Sequence, residues 1–334
     1  MKCPKCGNSH KKKDGASCSS CGRTFVFFPP SPLMTDMRMQ TLFRRVTASG
    51  TYEVLEAQLY GAYARHAKKP GFMGPVLGLV AGLALGVGGG LAGSPVAVVG
   101  GIIALIAFIV IVARAAAPAG PPDPRAFHEL VAQWRRAGEG AGLIAARGLD
   151  KAPAQAREQD VHDYGVEQVL VVDDDLLVDF LVRNHFHAET RTAVVASSGY
   201  PAYVMPLVER ALAANAETPV FALHAAGHHE DDPRALVPAG LRVGDHPFID
   251  LGFRVADAER VARFAAFAEA KDVGAMRPAI LPPKVLLGAL TVAMRERMPL
   301  AVPLGVSEIK NPDGSSGSDG GGDFLLFHLD SDFG

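Results

Sequence analysis

All four cysteines of this 334-residue chain lie within its first 21 residues, and this clustering constrains the N-terminal fold more than any other feature. Cys3 and Cys6 form one CxxCG unit, Cys18 and Cys21 form a second, and eleven residues separate them. Two tight turns at this spacing can face each other and present four thiolates tetrahedrally, a ligand set that Zn²⁺ prefers. A segment this short cannot build a sufficient hydrophobic core without a metal. The sequence therefore predicts a zinc ribbon over residues 1–27.

The predicted zinc ion is structural rather than catalytic. Four cysteine ligands complete a tetrahedral site and leave no position for an activated water. The rest of the chain contains no cysteine, so it lacks the distributed disulfides of a small secreted scaffold, which indicates a reducing compartment. The first residues also lack the apolar segment of a signal peptide, so we expect the N-terminus in the cytoplasm.

The ribbon is locally basic. Its single acidic residue is Asp14, and its basic residues are Lys2, Lys5, Lys11, Lys12, Lys13 and Arg23. Such a surface suits nucleic-acid phosphates or anionic lipid head groups, although a solvated face explains the same charge. The segment resembles the small zinc ribbons found at the N-termini of many bacterial membrane and regulatory proteins. Its motifs are specific for a metal and not for a task, so nucleic acid is one expected partner among several.

Two stretches without a charged residue, 74–91 and 96–113, are each about as long as a helix that crosses a bilayer. They predict a transmembrane hairpin over residues 71–114. The residues that place positive charge on the outer flanks are Arg65, His66, Lys68, Lys69 and Arg114. Because the intervening turn is uncharged, both flanks should face the cytoplasm. The predicted location is the inner (cytoplasmic) membrane, multi-pass, with both termini cytoplasmic; a hairpin buried in a water-soluble fold is the alternative.

Glycines recur every four residues in the first stretch, including Gly78, Gly82, Gly86 and Gly90. This spacing places them on one helix face, where small side chains let another helix approach closely. The neighbouring helix is either the second stretch or a helix of another copy of the chain. The pattern therefore indicates a seam within the hairpin or a homo-oligomer, without deciding between them.

Composition divides the rest of the chain. Helical periodicity from Tyr52 predicts a juxtamembrane helical segment within residues 28–70, and a Pro/Ala-rich linker at 115–124 precedes an α/β domain at 125–310. The Gly/Ser/Asp-rich tail at 311–334 should be flexible, and it ends in an apolar segment. That segment is expected to dock either on this domain or on a protein partner.

The domain at 125–310 alternates apolar strands with helices. Strands are predicted at 166–173, 192–199 and 219–225, with helices at 175–186 and 206–215. Such a β-α-β-α-β order implies a parallel sheet with right-handed crossovers, which binds ligands at the carboxyl ends of its strands. The predicted fold class is therefore multidomain: a zinc ribbon, a two-helix transmembrane hairpin and a parallel α/β domain.

Polar residues follow the predicted strands. Asp173 and Asp174 follow the first strand, and His224, His228 and His229 follow the third. Carboxylates and imidazoles can bind a transition metal, so these five residues form a candidate rim site. The simpler interpretation of the two aspartates is that they cap the N-terminus of the next helix.

The segments DYGVEQVLVVDDD, VVASSGYP and PVFALHAAGHH, within residues 160–255, resemble the Toprim-type domain of the topoisomerase VI A subunit and its relatives. The resemblance implies an acidic residue after the first strand and a DxD pair after the third, which together hold Mg²⁺ for phosphoryl transfer on DNA. Asp173 or Asp174 matches the first acid, whereas His224 and Ala226 occupy the DxD positions. Because imidazole and methyl groups offer no oxygen ligands, the resemblance implies the fold and not the activity.

Together these features favour a membrane-anchored cytoplasmic adaptor or sensor, more simply non-enzymatic, with Zn²⁺ as a structural ion. Its expected partners are the lipid bilayer and a protein. One alternative is a metal-dependent enzyme acting on phosphodiesters, with an altered site around Asp173, Asp174 and His224. The other alternative is a membrane-tethered nucleic-acid-binding protein that works through the basic ribbon.

Overall fold

The chain divides into two compact units. The first comprises Met1–Ala64 and Pro122–Gly334, and the second comprises Arg65–Pro121. The computed structural model describes residues 2–29, 34–66, 79–81, 83–84, 87, 96–115, 123–151, 165–257 and 276–304. The helices with described bounds are α1 (Asp36–Val46), α2 (Glu56–His66), α3 (Val96–Ala115), α4 (Pro124–Arg136), α5 (Asp175–Arg183), α6 (Phe186–Glu189), α7 (Met205–Ala214) and α8 (Pro283–Glu296). The strands are β1 (Val54–Leu55), β2 (Leu143–Ile144), β3 (Gln168–Val172), β4 (Thr192–Ala196), β5 (Val220–Leu223) and β6 (Phe248–Asp250).

A four-stranded parallel sheet with the order β4-β3-β5-β6 forms the centre of the first unit. Val171 of β3 pairs with Val195 of β4 on one side and with Ala222 of β5 on the other. The chain runs from β3 outward to β4 and then crosses back to β5, so the strand order reverses between β3 and β5. Doubly wound sheets bind ligands in the crevice outside the carboxyl ends of the strands at such a reversal. The predicted parallel α/β region is confirmed.

The two faces of the sheet support two hydrophobic clusters. Leu170 and Val172 of β3 belong to the larger cluster, whereas Val169 and Val171 belong to the smaller one. This alternation follows from the two-residue period of a strand, and it explains why β3 is apolar throughout. The smaller cluster includes Val208 and Leu212 of α7 and residues of the loop before β6. The larger cluster includes apolar residues of α1, α2, α4, α5 and α8.

Residues on either side of the second unit meet within the first. β1 pairs in parallel with β2, with Val54 opposite Leu143. Asn184, the C-cap residue of α5, fixes the approach to β1, because its side chain accepts a hydrogen bond from the Glu53 amide and donates one to the Glu53 carbonyl, each 3.0 Å long. The first unit is therefore assembled from chain segments that are distant in sequence.

The second unit contains α3. Among its described side chains, Leu105 and Ile109 are exposed, whereas Ala104 and Ala107 are buried.

The prediction of a transmembrane hairpin is wrong. Over the parts of the chain with described placement, no helix combines the length and the apolar character that crossing a bilayer requires. The prediction used only the absence of charge over 74–91 and 96–113, which is a property of composition. Glycine, which recurs in the first stretch, also lowers helix stability by about 1 kcal/mol per residue relative to alanine. The predicted multi-pass inner-membrane location, with both termini cytoplasmic, is contradicted by the same finding.

Several predicted features lie outside the described residues. These are Gly78, Gly82, Gly86 and Gly90, most of the linker at 115–124, and the tail at 311–334.

Candidate functional site

The four cysteines of the ribbon converge on one point. Their ligand atoms all lie within 4.8 Å of one another, and within the described ranges this is the group of three or more potential metal ligands that the structure brings together. Cys3 Sγ lies 3.6 Å from Cys21 Sγ, and Cys6 Sγ lies 3.7 Å from Cys18 Sγ. A tetrahedral ion with Zn–S bonds of about 2.3 Å places its sulfur ligands about 3.8 Å apart. The four cysteines therefore form a group that can hold a metal ion.

The two CxxCG units adopt the same turn. The Gly7 amide donates to the Cys3 carbonyl at 2.9 Å, and the Gly22 amide donates to the Cys18 carbonyl at 2.8 Å. Gly7 and Gly22 have φ values of +73° and +71°, in the left-handed region that favours glycine. A Cβ at either position would meet nothing within 4 Å, so backbone conformation rather than space requires glycine there.

The pKa values of two ribbon thiols shift in opposite directions. The amides of Ser20 and Cys21 lower the pKa of Cys18 to about 6. The Asn8 amide also lowers the pKa of Cys6, but burial and the three neighbouring sulfurs outweigh it and raise that pKa to about 12. Four sulfurs this close do not all ionise without a cation between them. A divalent ion at their centre removes that repulsion and favours all four thiolates.

The ribbon is fixed to α1 and α4. Asp36, the buried first residue of α1, accepts hydrogen bonds from the amides of Val26 at 3.0 Å and Phe27 at 2.9 Å. The Phe27 ring stacks on Trp134 of α4, with centroids 5.7 Å apart and an interplanar angle of 10°. Gln133 of α4 donates to the Val26 carbonyl at 2.8 Å. The end of the ribbon is therefore held by both polar and aromatic contacts.

The ribbon presents several cations to solvent. Arg23 forms an ion pair with Glu139, so its charge is neutralised within the first unit. Four lysine side chains are exposed and form no ion pair with a described residue; they are Lys2, Lys5, Lys11 and Lys13. The carboxylate of Asp14 accepts from the Lys11 amide at 3.3 Å.

The two predicted aspartates at the carboxyl end of β3 have different roles. Asp174 is the N-cap residue of α5, and its Oδ1 accepts from the Leu176 amide at 2.9 Å. Asp173 extends from the end of β3 to the end of β5, where its Oδ2 accepts from the Ala225 amide at 2.7 Å. Burial raises the pKa of Asp173, and the charge of Asp174 raises it further, while the Ala225 amide acts in the opposite direction. Both aspartates are thus bonded to backbone amides of the fold.

His224, at the carboxyl end of β5, is fully buried and has an acceptor beside each ring nitrogen. Nδ1 lies 2.9 Å from the Ala225 carbonyl oxygen, and Nε2 lies 3.1 Å from Oδ1 of Asp250. A protonated ring satisfies both acceptors, whereas a neutral ring can donate to one alone. Burial lowers the pKa of His224, but the Asp250 carboxylate, the Ala225 carbonyl and the charge of Asp173 outweigh it and raise that pKa.

Asp250 completes this arrangement from β6. Its Oδ1 also accepts from the Gly252 amide at 2.8 Å. Burial raises its pKa, but the hydrogen bond and charge of His224, the Gly252 amide and Arg254 together lower it. Sequence reasoning missed Asp250, although an acid followed by Gly252 at the end of a short apolar strand is a signal that could have found it. The His224–Asp250 pair joins the ends of β5 and β6.

The remaining predicted rim residues lie in the loop after β5. His228 and His229 are both exposed, and His229 has a left-handed backbone with a φ of +55°. The charge of His228 lies close enough to Asp173 to lower its pKa. Of the predicted set, the structure brings Asp173 and His224 together, assigns Asp174 to the helix cap and leaves His229 in solvent.

A second polar network, which sequence reasoning did not find, lies beneath α5. Asp179 is fully buried and accepts from the Tyr200 hydroxyl at 2.7 Å and from the Gly148 amide at 2.8 Å. The same hydroxyl accepts from the Leu149 amide at 2.7 Å. Burial and the hydrogen bond to Asp179 raise the pKa of Tyr200. This network ties the loop after β2 to α5 and to the end of β4.

The resemblances to bacterial zinc ribbons and to Toprim-type domains depend on short motifs, and they stay predictions. What the structure shows is coarser: four cysteines that can hold a metal ion, and a parallel α/β sheet. No protein-family model, no curated protein and no solved structure matches the chain.

Proposed function

We propose that the chain is a zinc-stabilised, non-enzymatic adaptor whose ribbon and α/β sheet form one platform for a protein partner. The observation that carries this proposal is the stacking of Phe27 on Trp134, together with the Asp36 carboxylate on the Phe27 amide. These contacts make the ribbon part of the first unit rather than a freely tethered module. A metal that folds the ribbon therefore also supports the surface of α1 and α4.

The chemistry of the four ligands supports zinc as the ion. Soft thiolates at tetrahedral separations suit Zn²⁺, and a site with four cysteines has no open position for a substrate or a water. In this proposal Cys3, Cys6, Cys18 and Cys21 hold the ion, and its role is to fold the ribbon.

The carboxyl edge of the sheet supports the non-enzymatic part of the proposal. His224 uses both ring nitrogens within the fold, and Asp173 has one carboxylate oxygen on the Ala225 amide. Asp174 is occupied as a helix cap. A magnesium site for phosphoryl transfer needs several free oxygen ligands directed at one point, and these side chains are directed at protein atoms instead.

Metal content and ribbon docking can be tested on the full chain, because its only tryptophan is Trp134. We expect one zinc per chain by elemental analysis. Removing the ion with a chelator, or changing Cys21→Ser, should lower the melting temperature. It should also shift the tryptophan emission to the red, because Phe27 no longer stacks on the Trp134 ring. Ser20→Ala, beside Cys21 on the exposed side of the turn, is the matched control and should change neither. Absence of bound metal, or unchanged emission after its removal, contradicts the proposal.

The adaptor part needs two further measurements. Hydrolysis of phosphodiesters with Mg²⁺ or Mn²⁺ should be no faster for the wild type than for Asp173→Asn; activity that this variant loses would favour the enzyme alternative.

Crosslinking of the full chain in its own cells should capture a stoichiometric protein partner that Cys21→Ser releases and Ser20→Ala retains. Failure to find any partner that depends on the ribbon counts against an adaptor.

Nucleic-acid binding by the ribbon is a second candidate, favoured by the four exposed lysines that form no ion pair with a described residue. Each phosphate contact should steepen the decrease of log K with log salt by about 0.9 on duplex DNA. Replacing Lys2, Lys5, Lys11 and Lys13 by glutamine should then flatten that slope. An affinity that is independent of salt, or equal in the quadruple variant, excludes this candidate.

A further inference from the structure

A cavity of about 410 Å³ lies between α7 and the loop that precedes β6. Its polar lining comes from Glu209, Arg242 and His246, and its apolar lining comes from Leu212, Ala213 and Leu241. The volume falls in the range of about 300–1,000 Å³ that is usual for small-molecule sites. All these residues belong to the first unit, and neither the ribbon nor the His224–Asp250 pair contributes to the lining.

The polar groups of this cavity have no partners among the described residues. Glu209 and Arg242 form no ion pair or side-chain hydrogen bond there, although they carry opposite charges and line the same cavity. Nδ1 of His246 is buried and has no hydrogen-bond partner within the described part of the chain. A buried polar atom without a partner costs about 1–3 kcal/mol, so a ligand that bonds to it recovers that cost.

Buried leucines and loop hydrogen bonds form the frame of the cavity. Leu212 and Leu241 are both buried members of the smaller hydrophobic cluster. In the loop, the His246 amide donates to the Val243 carbonyl at 3.1 Å, and Arg234 donates to the Gly244 carbonyl at 3.4 Å. The apolar frame is therefore preformed, whereas the exposed side chains of Glu209 and Arg242 become ordered when a ligand binds.

We propose that this cavity binds a small zwitterion of the amino-acid class. The guanidinium of Arg242 is suited to a carboxylate, which it can engage with two parallel hydrogen bonds. Glu209 supplies the anion that an ammonium group requires, and His246 offers Nδ1 to the ligand. Leu212 and Leu241 receive an apolar side chain, because they form the buried part of the lining. This binding site goes beyond the adaptor proposal and stands whether or not the ribbon holds zinc.

Isothermal titration of the full chain with leucine, methionine and phenylalanine tests the proposal. We expect saturable binding of at least one of the three in the millimolar range or tighter. If leucine binds, 3-methylbutylamine, which lacks its carboxylate, and 4-methylpentanoate, which lacks its amine, should each bind at least about tenfold more weakly, since each loses one charged hydrogen bond. No heat with any of the three amino acids overturns the proposal. Equal binding of 4-methylpentanoate overturns the zwitterion class and leaves a simple carboxylate.

Variants locate the binding site. Arg242→Gln and Glu209→Gln should each weaken binding by about tenfold or more, for the same reason. Arg210→Gln is the matched control, because Arg210 is exposed on the same helix and its Nε donates to the Pro206 carbonyl at 3.3 Å. Circular dichroism melts of all three variants establish that they fold. Unchanged affinity in a folded Arg242→Gln variant shows that the amino acid binds elsewhere and refutes the assignment.

Discussion

Gly252 packs against the ring of His224 so closely that a Cβ at position 252 would lie 2.1 Å from Nε2. Because Nε2 faces the Asp250 carboxylate, an added methyl group has to displace the bond that joins β5 to β6. The close approach of these two residues therefore makes the carboxyl edge sensitive to a single methyl group.

We expect Gly252→Ala to lower the free energy of unfolding by about 2 kcal/mol or more, which is the usual cost of overpacking plus a lost buried hydrogen bond. Urea denaturation of the variant and the wild type measures this difference in unfolding free energy. Gly199→Ala is a useful comparison near the same edge, since a Cβ there meets nothing within 4 Å and the cost comes only from its φ of +81°. A Gly252→Ala variant as stable as the wild type would show that His224 is not held as described.

The His224–Asp250 pair should make stability depend on pH. The pKa of His224 is raised on folding, so its contribution is fully present below about pH 6.5 and is lost as pH rises through the folded pKa. The pKa of Asp250 is lowered, so its contribution is present above about pH 3.9 and is lost as pH falls through the folded pKa. The stability difference between the wild type and His224→Gln should therefore shrink as pH rises from 6 to 9.

Asp173→Asn is the control for this measurement, because Asp173 is a neighbouring group with a raised pKa of its own. The shrinking difference should persist when both proteins carry that substitution. A difference that stays constant across the range would mean that His224 does not titrate with folding.

Two helical glycines should respond to alanine in opposite ways. A Cβ at Gly61 in α2 would lie 2.4 Å from the carbonyl oxygen of Ile280, whereas one at Gly288 in α8 meets nothing within 4 Å. We expect Gly61→Ala to destabilise the protein by about 1–3 kcal/mol through overpacking. Gly288→Ala should stabilise it by up to about 1 kcal/mol, since alanine is the better helix former. Thermal melts of the two variants compare them directly, and shifts of the same sign would contradict the packing of α2.

Tyr200→Phe should remove the centre of the buried network around Asp179. Without the hydroxyl, the Leu149 amide loses its acceptor and Asp179 loses one donor. The expected loss is about 1–3 kcal/mol of unfolding free energy in denaturant titrations. Tyr52→Phe, at a partly buried tyrosine whose hydroxyl forms no hydrogen bond with a described residue, serves as the comparison for removing a phenol oxygen. Equal effects of the two substitutions would argue against a special role for the Tyr200 hydroxyl.

Asp36→Ala should undock the ribbon without touching a cysteine. The amides of Val26 and Phe27 lose their acceptor, which costs about 2 kcal/mol or more. Zinc content should stay at one per chain while the Trp134 emission shifts to the red. Glu129→Ala, on the exposed face of α4, should change stability by less than about 0.5 kcal/mol and leave the emission unchanged. Loss of the metal in Asp36→Ala would show that docking and metal binding are not separable.

Local patterns in the sequence predicted the parts of the molecule that depend on neighbours in the chain. The spacing of Cys6 and Cys18 was enough to predict the cluster of four sulfurs, since all ligands lie within two short turns. The runs that became β3, β4 and β5 are apolar and end in polar residues or glycine, so their boundaries were predicted to within a few residues. The prediction that the aspartates after β3 cap the next helix is confirmed for Asp174 and is wrong for Asp173, which accepts from the Ala225 amide instead.

Contacts between distant segments could not be predicted in this way. The bond between His224 and Asp250 depends on the place of β6 beside β5, which no local pattern specifies. Val54 and Leu143 pair although the second unit lies between them in the sequence. The hairpin prediction failed because the absence of charge reports on composition alone.

The docking of the ribbon has a consequence for how the protein is made. Val26 and its contact Gln133 are 107 positions apart in the chain. At a synthesis rate of about 5–20 residues per second, the aromatic end of the ribbon leaves the ribosome roughly 5–20 seconds before the helix that covers it. During that interval the four cysteines of the nascent N-terminus are already available to a metal ion, while Phe27 does not yet have the Trp134 ring to stack on. A cell that translates this chain slowly therefore extends the time in which an unfinished apolar surface is open to chaperones.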